Sequence, residues 1–359
     1  MTIVTRMGHI ALRVPDLDAA VEFQREVIGM VETECSGDAV YMTCNERHHE
    51  LILIEDPVRR GYDHIGLEVA DAYTLELVKR VVAHAGGRAL SDIYDGEPGI
   101  DRALRIQGPG GHVFKLFCGM EANQVLALGD RPIKFEHASV KVRNTRAFER
   151  FLNKMLGFRL SDRVGRFASW WHCGADHHGM AVILATRNEL SHYAYTYPDL
   201  NAMGRVVDRL KRYRHHKPIW GPSRHDPGNN RFIYFRDNAG AMIELSSELA
   251  QMPPHGDYQA RKWPIEPTTI NQWGGLPPLW FVATGMPIAK PELGRPAYAM
   301  PVDRTTPTRV NARPINSTRT YRAEDGRERT SNVEELSGAY VWSKMAGVLA
   351  AWSAEPPYD

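Results

Sequence analysis

The sequence predicts an α+β protein made of two tandem βαβββ-type modules and a long C-terminal extension. Three observations predict it. Histidines recur in one register: His9 and His137 are 128 residues apart, His49 and His178 are 129 apart, and His64 and His192 are 128 apart. Lys115 and Glu244, 129 apart, close the two copies in that same register. Each anchor also opens or ends an apolar, strand-like run. Four anchors within one residue of a single offset are not chance, and a fixed offset is the mark of an internal repeat.

The elements follow in order. The first copy opens with Gly8-His9-Ile10-Ala11-Leu12-Arg13-Val14, the second with Glu136-His137-Ala138-Ser139-Val140-Lys141-Val142. A helix then starts after Asp16, with Ala20, Val21, Phe23, Val27 and Ile28 on its apolar face. Its counterpart starts after Asn144, with Phe148, Phe151, Leu152, Met155 and Leu156. Asp and Asn cap helix N-termini well, the apolar spacing is helical, and Gly29 and Gly157 supply the stops. The strands Leu51-Ile52-Leu53-Ile54 and Met180-Ala181-Val182-Ile183-Leu184 come next, each preceded by a His-His pair. His64 and His192 then open further strands. Second helices are expected at about 72–85 and 200–214. A final strand pair ends at Lys115 in one copy and Glu244 in the other. The expected division is 1–128, 129–250 and 251–359. The extension is rich in Pro and Gly to about Pro314, with a last helix near Val333 to Trp352 whose apolar stripe suits a subunit contact.

Composition narrows the function. The chain has 359 residues, with 44 Lys+Arg against 43 Asp+Glu. That balance gives no electrostatic ground for binding nucleic acid. No uncharged apolar run is long enough to span a bilayer, and the start lacks the apolar run of a secretion signal. Cys35, Cys44, Cys118 and Cys173 form no CxxC pair, which points to reduced thiols in a cytoplasmic protein. The 15 histidines are the distinctive feature.

The copies differ where chemistry can live. The second offers His137, His192 and Glu244; the first offers His9, His64 and Lys115. Two imidazoles and a carboxylate with open positions suit non-haem Fe(II) oxygen chemistry. A lysine ammonium in place of the carboxylate repels a cation. The repeat therefore predicts one working metal site, in the second module. A lone histidine at a strand start is more often a satisfied core or surface residue, and only the joint pattern outweighs that. His215 and His216 read as a solvated helix end, His112 as structural, and His48 and His49 as remnants of the template. Alternation places Asn230, Phe232 and Tyr234 on one face of a strand. The Asp237-Asn238-Ala239-Gly240 turn then sets Tyr234 across from Glu244. Phe167, Trp170, Trp171, Tyr193 and Phe232 are candidates to shape a pocket for an aromatic ring.

These residues resemble the vicinal oxygen chelate superfamily with its glyoxalase-like fold, and within it the type I extradiol ring-cleaving dioxygenases (the catechol 2,3-dioxygenase and 2,3-dihydroxybiphenyl 1,2-dioxygenase group). The resemblance covers roughly residues 6–250 and reaches Asn271-Gln272-Trp273-Gly274-Gly275. Its specific part is Arg224-His225, then Tyr234 nine residues on and Glu244 ten further. It implies Fe(II), with Mn(II) the alternative, held by His137, His192 and Glu244. It implies acid–base work for His178, and hydrogen bonding to substrate and reacting oxygen for His225 and Tyr234. The expected partners are a small aromatic diol and O2, and the expected assembly is a homo-oligomer. Asp226-Pro227-Gly228-Asn229 departs from the biphenyl-type relatives. Trp220 stands where relatives that cleave carboxylated catechols carry a basic residue, which favours an uncharged ring substituent. Two rivals stay open. One is cleavage of a hydroquinone or trihydroxylated ring on the same fold. The other is a non-catalytic small-molecule-binding member, which would need none of the six site residues.

Overall fold

The computed structural model describes residues 3–123, 130–213, 216–253 and 258–299. The expected helix near Val333 to Trp352 lies outside the described residues. The first module runs β1 (Val4–Val14), α1 (Leu17–Phe23), β2 (Val31–Ser36), β3 (Ala39–Thr43), β4 (Leu51–Glu55), β5 (Gly61–Val69), α2 (Ala72–Val81), β6 (Arg88–Ala89), β7 (Tyr94–Glu97), β8 (Ile100–Gln107) and β9 (Val113–Met120). The second runs β10 (Lys134–Val142), α3 (Thr145–Lys154), β11 (Arg159–Val164), β12 (Ala168–His172), β13 (Met180–Leu184), β14 (Glu189–Thr196), α4 (Leu200–Arg212), β15 (Trp220–Arg224), β16 (Arg231–Arg236) and β17 (Met242–Ser247). The tail adds β18 (Arg261–Trp263), α5 (Pro267–Ile270), α6 (Leu279–Ala283) and β19 (Met286–Pro287).

The two sheets share one path. The first is ordered β2-β3-β4-β1-β5-β9-β8, the second β11-β12-β13-β10-β14-β17-β16. Registers match as well. His9 pairs with Gly66, which pairs with Lys115; His137 pairs with Ala194, which pairs with Glu244. Each copy in fact holds two βαβββ units, which meet where β1 lies antiparallel to β5 and β10 to β14. The sequence carries a trace of this finer repeat: His9 to His64 and His137 to His192 are both 55 residues apart.

Local chemistry explains the helices. Asp16, Asp71, Asn144 and Asp199 each accept a hydrogen bond from the backbone N–H three residues on. That satisfies one of the donors a helix start leaves unpaired. The first helix is expected to run to Ile28. Its α-helical part stops at Phe23 and widens into a π-helical turn, Gln24–Ile28, which ends at Gly29 with φ +92°.

Strand alternation divides the faces. Ile10, Leu12 and Val14 on β1, and Ala138, Val140 and Val142 on β10, face one continuous apolar core with the helices of both modules. Phe148 and Phe151 of α3 lie against Phe114 of β9, with ring centroids 6.2 and 6.0 Å apart. Across the same seam, His112 Nε2–H donates to the Lys141 carbonyl at 3.2 Å, while its Nδ1 accepts from the Tyr62 hydroxyl at 2.7 Å. The histidine faces look away from this core. The tail lies along both modules: β18 extends the second sheet beside β11, β19 pairs with the start of β14, and Ile288 bridges to Tyr62 of the first module. The four cysteines are free, and no helix among the described residues is long and apolar enough to cross a membrane.

Candidate metal centre

His137, His192 and Glu244 stand on the adjacent strands β10, β14 and β17, and the register turns all three to one face. All are buried. His137 Nε2 lies 3.2 Å from both His192 Nε2 and Glu244 Oε2, and His192 Nε2 lies 3.1 Å from Glu244 Oε2. Among the described residues this is the one group of three that could hold a metal ion. The neighbours orient the donors. His137 Nδ1–H donates to Glu136 Oε1 at 3.0 Å, which turns Nε2 toward the cluster, and Glu136 accepts in turn from Thr196 Oγ1 at 2.6 Å. Asn230 Nδ2 donates to Glu244 Oε1 at 2.9 Å, and the Tyr234 hydroxyl donates to Glu244 Oε2 at 2.7 Å. His192 Nδ1 finds no hydrogen-bond partner among the described residues, while its Nε2 points at the Glu244 carboxylate. Two imidazole nitrogens and a carboxylate oxygen converging on one point, once the imidazoles are deprotonated, fit a divalent metal.

The electrostatics agree. Burial holds the His137 pKa down, yet the Glu244 and Glu136 charges overcome it and push it up to about 9. Burial favours the neutral form of Glu244, but the two imidazoles hold its carboxyl well below the ordinary range. The Glu244 carboxylate is thus held as a buried anion facing two imidazoles, a donor set able to take a cation.

The first module offers the contrast. His9 and His64 still meet through Nε2 at 3.0 Å. Lys115, however, is buried in a salt bridge with Glu97. Burial, then the Lys115 charge, pushes His64 down to about 3. The His9 ring also lies over Gly66 so closely that a Cβ would come within 2.3 Å of it, whereas the second module has Ala194 at that register.

Six residues expected at the site, His137, His178, His192, His225, Tyr234 and Glu244, line one cavity. The His178 ring lies 4.4 Å from that of His137 and its Nδ1 is 3.0 Å from His177 Nδ1. Burial, then the charges of His137 and His177, holds the His178 pKa well below the usual value. His225 Nδ1–H donates to the Ile270 carbonyl at 2.7 Å, so its bare Nε2 faces the Tyr234 hydroxyl 3.2 Å away. Burial pushes His225 down to about 4. Burial, then Glu244, pushes the Tyr234 phenol well up.

The walls differ in part from expectation. Phe167 and Trp170 line the cavity, with Ile183, Trp220, Phe281 and Val282. Trp171 and Tyr193 fall one residue out of phase and face the opposite core. Phe232 stacks behind His225, centroids 3.9 Å apart. Sequence reasoning gave no role to Asn230, although it placed that residue on the Tyr234 face. It also missed Glu136, Lys141 and the tail. Lys141 Nζ donates to the carbonyls of Val282 at 2.8 Å and Thr284 at 2.6 Å, which fastens the wall carrying Phe281.

Comparison with known proteins agrees with this geometry. The chain is 26% identical over 270 residues to a manganese-dependent 2,3-dihydroxybiphenyl 1,2-dioxygenase from Geobacillus genomosp. 3, covering 68% of this chain and 85% of the relative. It is 23% identical over 320 residues to a metapyrocatechase from Geobacillus stearothermophilus, covering 82% and 97%. Among solved structures, homoprotocatechuate 2,3-dioxygenase from Arthrobacter globiformis shares the fold with a TM-score of 0.72 at 19% identity, over 84% of this chain and 95% of that one. These relatives are extradiol dioxygenases. The family model described as Glyoxalase/Bleomycin resistance protein/Dioxygenase superfamily matches residues 6–116 and 134–245, one stretch in each module. With well over half its length matched in this way, the chain belongs to that superfamily.

Proposed function

We propose that the protein is an extradiol dioxygenase: it cleaves a catechol-type ring beside its vicinal diol and inserts both atoms of O2, at a non-haem Fe(II) held by His137, His192 and Glu244, with Mn(II) the alternative metal. One observation carries the reading. The three donors, two further histidines and a tyrosine converge in a single buried cavity with apolar walls. Sequestration of a small molecule would need the walls alone.

When bound, the metal would bring diol and O2 together and lower the diol's pKa. The chain's residues do the rest. His225, neutral with a bare Nε2, can accept a proton from a substrate hydroxyl. Tyr234 keeps its proton and, by turning it from Glu244 Oε2, can donate a hydrogen bond to oxygen as charge develops there. His178 is neutral and buried, its ring 4.4 Å from that of His137, and it takes up a proton only as negative charge builds beside it in the reaction. Phe167, Trp170, Trp220 and Phe281 exclude water and sandwich a ring. Trp220 stacks on Tyr234, centroids 5.3 Å apart, and itself offers no charge to a ring substituent, which favours an uncharged one. The reading includes a cytoplasmic homo-oligomer, which light scattering after gel filtration checks.

Anaerobically purified protein should bind one Fe(II) per chain and turn a catechol yellow in air. A panel of substituted catechols, hydroquinone and trihydroxybenzenes identifies the ring. Metal binding with no turnover of any member of the panel would refute the proposal.

A further inference from the structure

The cavity of the first module is filled by the chain itself. The tail leaves β19, bonds Ala289 N–H to the Tyr62 carbonyl at 2.9 Å and Gly294 N–H to the Leu90 carbonyl at 2.7 Å, and inserts Tyr298, which is 4% exposed. Around that side chain pack Ala11, Ala39, Tyr41, Ile52 and Ile54. These stand at the register positions that Ser139, Ala168, Trp170, Ala181 and Ile183 hold in the second module. All five of the latter line the candidate substrate cavity. Tyr298 thus occupies the first module's version of that cavity.

The contacts are those that recognise a phenol, not merely an apolar group. The Lys115 ammonium sits 5.1 Å from the centre of the Tyr298 ring. The His64 ring lies parallel to it within 5°, centroids 6.4 Å apart. The hydroxyl is 3.4 Å from both Asp63 Oδ1 and His64 Nδ1. Asp63 is an ionised, buried acceptor, fixed by Arg13 at 2.6 Å. We infer that the first module retains a phenol-binding pocket, that Tyr298 is its resident ligand, and that this occupancy anchors the tail that also walls the metal-site cavity. This does not rest on the catalytic reading, because it uses neither the metal nor the second module's acid–base residues.

The test is chemical rescue of the full chain, without added metal. Tyr298→Ala should lower Tm by several degrees, and phenol should raise the variant's Tm saturably while leaving wild type nearly unmoved. Cyclohexanol, which lacks the aromatic face, should rescue it less. Wild type under the same phenol titration controls for binding in the other cavity. Phenol that raises the Tm of Tyr298→Ala no more than that of wild type overturns the inference. Should that variant not fold, Tyr298→Leu keeps the apolar bulk and loses the ring and hydroxyl. It should melt below both wild type and Tyr298→Phe, and a leucine variant as stable as wild type overturns the inference equally.

Discussion

Asn230→Ala tests how the carboxylate of the candidate centre is held. Asn230 is fully buried and its Nδ2 donates to Glu244 Oε1 at 2.9 Å, with a second bond to Ser246 Oγ at 3.1 Å. A hydrogen bond to a charged group contributes about 1.5–3 kcal/mol. Each factor of ten in affinity corresponds to about 1.4 kcal/mol, so loss of this bond predicts a metal Kd weaker by roughly ten- to a hundredfold. The effect stops there, because Tyr234 still holds the other oxygen, Oε2, at 2.7 Å. The assay is competition for Mn(II) against a fluorescent chelator, repeated anaerobically with Fe(II), with circular dichroism to confirm the fold. An affinity equal to wild type in a folded variant would show that Oε1 is not what positions the carboxylate. Complete loss of binding would show that Asn230 supports more than one donor.

Other outcomes follow from the same contacts. His192→Ala and Glu244→Ala should each abolish metal binding, while Lys115→Ala leaves it unchanged, read by metal analysis of anaerobically loaded protein. Lys141→Met removes the donor to the Val282 and Thr284 carbonyls, so KM for a catechol should rise with a smaller change in kcat, as loosened cover weakens binding more than chemistry. Burial pushes His112 from 6.5 down to about 4. The unfolded chain therefore binds the proton first, and about 3 kcal/mol of stability, present above the ordinary histidine range, is lost as pH falls through it toward the folded value. Urea unfolding across that window should show a shallower pH slope for His112→Gln than for wild type. Phe148→Ala empties a fully buried ring site against His112 and Phe114 and should cost about 3–5 kcal/mol, measured by denaturant melts.

What could be read beforehand was whatever repeats or alternates. The register of His9, His64 and Lys115 with His137, His192 and Glu244 needs only counting, because a duplicated backbone sends equal positions to equal places. Alternation likewise set Tyr234 across from Glu244, and they pair there. Residues defined by tertiary meeting left no such trace. Asn230 reaches Glu244 only because β16 and β17 lie side by side, and Lys141 finds carbonyls more than 140 residues away. Trp171 and Tyr193 looked like pocket residues because aromatic content says nothing about phase along a strand. Tyr298 was invisible for a further reason: its partners belong to the module that had lost its carboxylate, where no site was sought.

The layout also has a bearing on biosynthesis. Strands β10, β14 and β17 are complete by Ser247, but Phe281 and Val282 leave the ribosome only later. The candidate metal donors are thus translated ahead of this part of their cover, so a cation could reach them from open solvent before Phe281 and Val282 are laid over the cavity.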